Sequence, residues 1–177
     1  MLRHLKITLL SIASALLQGV THATPLNAPN PVEISALLIT SGQPTQQALA
    51  GLGNEGFQAV IYLAPSSVPD AVKDEPDLLK RQGIEFIHIP IPFNAPKEEH
   101  VVAVSEALVR LKDKKVLVHC QVNMRASTMV FLHRVVTLKE EPAQAYEAVS
   151  RVWSPEGPWR TLIVDQLKKH KIAFQPL

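Results

Sequence analysis

Val116-Leu117-Val118-His119-Cys120-Gln121-Val122-Asn123-Met124-Arg125 is the stretch that decides the fold. Three β-formers run into a histidine and a cysteine, a short polar loop reaches an arginine, and the apolar residues from Ala126 to Leu138 continue with helical character. The chain's one cysteine is therefore predicted at the end of a buried strand. There the backbone N–H groups of Gln121, Val122, Asn123 and Met124 converge with a helix N-terminus. Such a cradle favours a thiolate and a bound oxyanion, and Arg125 adds a planar fork able to grip two oxygens at once. A lone cysteine cannot form an internal disulfide, so its use is reactivity or packing. The His before it and the Arg after it suit an activated thiolate, and a buried inert thiol is the bland alternative.

Upstream, Ile34 to Thr40 reads as one near-continuous apolar strand, turned by Ser41-Gly42-Gln43-Pro44 into a helix that ends near Gly53 to Gly56. Phe57 to Leu63 is a second strand and Ile84 to Ile89 a third, with Val116 to His119 the fourth. Between the second and third lies a loop rich in Pro, Ser and Asp, then a short helix ending at Gln82-Gly83. Val101, Val104, Leu108 and Leu111 mark one face of a helix from about Glu98 to Lys112. The helix after the cysteine loop is apolar nearly all round, which predicts a central buried position. Pro142 opens another helix through Val149 and Val152, and Leu162 to Lys169 reads as the last. Strands apolar on both faces and separated by helices predict an α/β fold: a small, mostly parallel sheet flanked by helices.

The first 23 residues read as a secretory signal, with Arg3, His4 and Lys6 before the apolar run Ile7 to Leu17 and Thr21-His22-Ala23 as the cleavage site. The apolar run is shorter than the roughly 20 residues a spanning helix needs, so no stable membrane insertion is expected after cleavage. The predicted division is a signal peptide over 1–23, an extended linker over 24–32 and one domain over 33–177, exported to a bacterial periplasm. Loss of Arg3 and Lys6 with the signal leaves 16 basic against 16 acidic residues. A chain with no basic excess is not expected to bind nucleic acid.

The cysteine segment resembles the signature of the protein tyrosine and dual-specificity phosphatases, in which His-Cys ends a strand and an Arg closes the phosphate loop. Those families place five residues between Cys and Arg, with a glycine among them and a hydroxyl directly after the Arg. Here there are four, with Asn123 where a glycine is expected, and the hydroxyl arrives one place late at Ser127. A Cys-x4-Arg loop also resembles the rhodanese sulfurtransferases and a bacterial phosphatase-like family whose members occur fused to metallo-hydrolase domains. The helical C-terminal third departs from the rhodaneses. Ser41-Gly42-Gln43-Pro44, Gly56 to Leu63, Gly83 to Pro90 and the cysteine loop follow the order of the bacterial phosphatase-like family.

The resemblance implies a dual-specificity-phosphatase-like fold and a phosphorylated substrate, protein or small molecule, attacked by Cys120 without metal or other cofactor. Arg125 and the N–H groups of Gln121 to Arg125 would stabilise the charge on phosphorus, with His119 tuning the thiolate and Ser127 assisting its departure. The family's general acid is an Asp on the loop after the third strand, where this chain has Asn94. An amide is no acid, and losing general acid catalysis costs about 10²–10⁴-fold. Glu98 or Glu99 could substitute, although both suit the first turn of a helix. Gln43 is expected to border the pocket, or simply to belong to a turn. Trp153 to Trp159 would line a groove or brace two helices, and Asp70, Asp74, Glu75 and Asp77 read as solvated surface. A persulfide-carrying sulfurtransferase and a non-catalytic anion- or phosphoprotein-binding module are the functional alternatives.

Overall fold

The computed structural model describes residues 26–176. The predicted signal peptide therefore lies outside the described residues. Five strands form one sheet: β1 (Val32–Ser35), β2 (Leu38–Ser41), β3 (Ala59–Tyr62), β4 (Glu85–His88) and β5 (Val116–His119). Their spatial order is β1-β2-β5-β3-β4, with β2, β5, β3 and β4 parallel and β1 antiparallel at one edge. Six α-helices cover the sheet: α1 (Gln46–Gly51), α2 (Glu75–Arg81), α3 (Glu98–Arg110), α4 (Met124–Leu132), α5 (Pro142–Ser150) and α6 (Gly157–Lys169).

The single strand expected over Ile34 to Thr40 is in fact two strands that reverse at Ala36-Leu37. No Gly or Pro marks the reversal. It is made by two exposed residues, with the Leu37 N–H bonded to the Ser35 hydroxyl at 3.3 Å. The stretch expected to be an extended linker is also tied to the fold. Pro29 accepts from the Gly42 N–H, and Asn27 from the Thr45 N–H.

Alternation along the strands divides the core in two. Leu117 and Val60 point to α1 and α2, where they meet Leu49, Leu52 and Leu79. Val116, Val118, Ala59 and Ile61 point to the layer of α3, α4, α5 and α6. The same period sends His119 toward α2 and Cys120 toward α4.

Helix α4 is buried along its whole length after Met124, as its all-round apolarity predicts, and it touches α3, α5, α6 and the sheet. Its Thr128 and Val130 are mediocre helix formers, but that deficit is at most about 0.7 kcal/mol per residue. Burying Met129, Phe131 or Leu132 stabilises by roughly 1.5–3 kcal/mol each, so packing decides. The helix runs on into a π turn over His133–Thr137. Helix α6 begins at Gly157, five residues before the predicted start, because Pro158 occupies its first turn and Trp159 is already packed in the core.

Candidate active site

Cys120 follows the last residue of β5, and its N–H donates to the Ser41 carbonyl at 3.2 Å. The loop then turns through Asn123, whose φ of 72° is left-handed. Asn tolerates that region better than other side chains, which is why no glycine is needed there. Its amide nitrogen donates to the Asn30 carbonyl (2.6 Å) and the Thr40 hydroxyl (3.1 Å), while the Asn30 side chain donates to the Val122 carbonyl. Behind the loop, Gln43 N–H bonds the Gln121 carbonyl at 3.0 Å. A Cβ on Gly42 would come within 2.6 Å of the Gln121 carbonyl oxygen, so this position of the Ser-Gly-Gln-Pro turn has room only for glycine.

Asn123 is the N-cap residue of α4 yet makes no side-chain cap bond, and the first turn of the helix holds no acid. The unsatisfied N–H groups and positive end of α4 are thus left for another anion. Arg125 sits in this first turn, 4% exposed. Its Nε donates to the Ile91 carbonyl (2.9 Å), Nη1 contacts Gln121 Oε1 at a long 3.4 Å, and its guanidinium lies 5.0 Å from the Phe93 ring centre. The arginine therefore braces the β4–α3 loop with one side of its fork. Phe93 in turn packs against Trp153 and Trp159, and Trp159 Nε1 donates to the Phe93 carbonyl at 2.7 Å. The tryptophans brace this loop from behind.

Beneath the cysteine lies a buried polar network. His119 Nε2 contacts Glu75 Oε1 at 2.7 Å, and Gln43 Nε2 donates to Glu75 Oε2 at 2.9 Å. Glu75 is 2% exposed, which corrects its placement on a solvated acidic surface. Gln43 belongs to this network and is itself buried. Tyr62 stacks on the His119 ring, with centroids 4.7 Å apart. Burial first, then the negative charges of Glu75, Asp70 and Cys120, push the Tyr62 phenol up to about 12, against a smaller opposing pull from Arg125. A phenol that holds its proton more tightly when folded adds stability that is complete below its unfolded value near 10. That contribution is lost as pH rises toward 12. Stability measured by denaturant titration is accordingly expected to fall between pH 10 and 12 as Tyr62 phenolate absorbance appears. Complete ionisation of both tyrosines by about pH 10.5 would contradict this environment.

The structure thus brings His119, Cys120, Gln121, Asn123, Arg125 and Gln43 together. Val122 faces outward and contributes its carbonyl to Asn30, while half-buried Met124 starts α4. The Ser127 hydroxyl bonds back to the Met124 carbonyl at 3.3 Å within its own helix. Asn94 is exposed on the β4–α3 loop. Glu98 pairs with Lys169 of α6 and Glu99 with Lys97, so both carboxylates are engaged away from the cysteine loop. Glu75, Asp70 and Asn30 are the site residues that sequence reasoning missed. Asp70 Oδ1 accepts from Gln121 Nε2 at 2.8 Å. Among the described residues, no three His, Cys, Asp or Glu side chains converge as a metal site would require.

The family described as DSP-PTPase phosphatase fused to NAD+ kinase matches residues 12–162. A DUF442 protein from Shewanella putrefaciens CN-32, described as a phosphatase, is 30% identical, with 81% of this chain and 92% of that one covered at a TM-score of 0.73. Tk-PTP in its active form is 24% identical over 82% of this chain and 99% of its own, with a TM-score of 0.61. The catalytic domain of the PP-IP phosphatase SIW14 from S. cerevisiae, in complex with citrate, is 14% identical over 85% and 98%, with a TM-score of 0.63. The last two likenesses concern the fold alone. No curated protein matches the chain.

Proposed function

Because the chain belongs to the family of dual-specificity-type protein tyrosine phosphatase domains, we propose that it hydrolyses a phosphomonoester through a phosphocysteine on Cys120. The observation that carries this reading is the position of Cys120 between the end of β5 and an α4 N-terminus with neither side-chain cap nor first-turn acid. A phosphoryl group bound there meets the uncapped N–H groups on one side and Arg125 on the other. Cys120 sulfur attacks phosphorus as the ester oxygen leaves, and water then releases phosphate from sulfur. The backbone donors and the Nη groups of Arg125 stabilise the charge on the equatorial oxygens, and no metal takes part. Arg125 Nε, already bonded to Ile91, holds the guanidinium in place rather than touching the substrate.

Cys120 has no exposed surface, so substrate entry requires the side chains over it to part. The Arg125–Gln121 contact beside it, at 3.4 Å, is a long and weak hydrogen bond. The shortened loop that resembles the sulfurtransferases here sits in a phosphatase fold, and by itself no longer argues for sulfur transfer. A binding module for phosphate or phosphoproteins is the second reading, supported by the covered cysteine and by Asn94.

Export to a periplasm with cleavage after Ala23 completes the proposal. One preparation tests both parts. Protein recovered from a periplasmic extract is expected to begin at Thr24 and to hydrolyse an aryl phosphate between pH 5 and 7 with EDTA present. Phosphate that protects Cys120 from alkylation, with no turnover at any pH, would establish the binding module instead.

A further inference from the structure

The β4–α3 loop presents an amide at Asn94, and Glu98 and Glu99 are held by lysines elsewhere. Acid groups on the other side of the site are therefore the place to seek the proton that the leaving oxygen requires. Three carboxylates stand on or near the loop between β3 and α2. Glu75 is buried and engaged by His119 and Gln43, and Asp74 accepts from Gln46 at 3.2 Å. Asp70 is exposed, and its Oδ1 is bonded to the side chain of Gln121, the residue next to the nucleophile.

The Gln121 amide joins Asp70 to Arg125. Its nitrogen donates to the carboxylate and its oxygen accepts from the guanidinium, the only orientation that satisfies both partners. Asp70 and Arg125 thus flank Gln121, the residue directly after Cys120. The loop is also built to hold Asp70 there. Val68 and Ala71, on either side, pack against the core, while the turns Val68 N–H to Pro65 and Ala71 N–H to Val68 fix the backbone between them.

We propose that Asp70, from the loop after β3, is the general acid of this phosphatase and supplies the proton that Asn94 cannot. The assignment rests on the phosphomonoesterase reading above. In the first step the bond from Cys120 sulfur to phosphorus forms and the bond from phosphorus to the ester oxygen breaks. The protonated Asp70 carboxyl gives its proton to that oxygen and becomes a carboxylate. In the second step Asp70 takes a proton from the attacking water, the oxygen–phosphorus bond forms, and sulfur leaves as thiolate.

The test compares two substrates that differ in how much they need an acid, p-nitrophenyl phosphate and phenyl phosphate, on wild type and Asp70→Asn. The amide oxygen of the variant can still accept from Gln121, so the link from this loop to the cysteine loop is retained. Phosphate protection of Cys120 against alkylation should therefore match wild type. For phenyl phosphate kcat is expected to fall by about 10²–10⁴-fold, and for p-nitrophenyl phosphate by less than about 10-fold. Equal losses on the two substrates, or no loss on either, would overturn the assignment while leaving the phosphatase reading intact. Absence of Cys120-dependent turnover in wild type overturns both.

Discussion

Cys120→Ser is expected to reduce aryl phosphate hydrolysis by at least about 10⁴-fold, to the limit of detection, because the hydroxyl is a far weaker nucleophile than a thiolate. The substitution changes little else. Cys120 is fully buried at the end of β5, and a serine of nearly the same size occupies that position without a cavity or a clash. The donors that face the anion belong to the backbone of the loop, to α4 and to Arg125, and all remain. The variant should melt within a few degrees of wild type and retain phosphate affinity while turnover disappears. Turnover that survives in Cys120→Ser would place the chemistry on another group and reduce the cysteine to a core residue.

Glu75→Ala carries the largest expected loss of stability. It removes the acceptor for both His119 Nε2 and Gln43 Nε2, two donors with almost no access to water. Leaving a buried donor without its acceptor costs about 1–3 kcal/mol, so the two together cost about 2–6 kcal/mol. With a urea m-value of about 2 kcal/mol per molar, the denaturation midpoint should drop by roughly 1–3 M. Glu75→Gln keeps an oxygen for one of the two donors and should lose less, about 1–3 kcal/mol. A loss below about 1 kcal/mol in the alanine variant would mean that the network under the cysteine does not hold the site together.

Elements whose packing follows from local pattern were legible in the sequence. Val116 to Val118 and the all-round apolar stretch after Arg125 fix the central strand and the central helix, since only burial accommodates them. The β1–β2 hairpin was hidden because Ala36 and Leu37 carry no turn chemistry, and an apolar run looks the same whether or not it reverses. The placement of Cys120 at the end of a buried strand and of Arg125 in the first turn of the next helix was legible because their order along the chain is their order in space.

Glu75 was not legible. A carboxylate in an acidic run beside Pro76 looks like a solvated helix start, and its burial depends on His119, 44 residues away, which the strand period turns toward α2. Asp70 was missed for a related reason, since a loop reveals its direction only when Val68 and Ala71 are packed. Asn123 seemed a poor substitute for glycine. Its side chain earns the left-handed turn through bonds to Asn30 and Thr40, partners from the opposite end of the chain.

The most direct test of the central claim is acid quenching during steady-state hydrolysis of an aryl phosphate with EDTA present, followed by peptide mass mapping under conditions that preserve thiophosphate esters. The account predicts a phosphoryl group on Cys120 in wild type and none in Cys120→Ser. Steady turnover with Cys120 unmodified throughout, or a persulfide in place of the phosphoryl group, would contradict it.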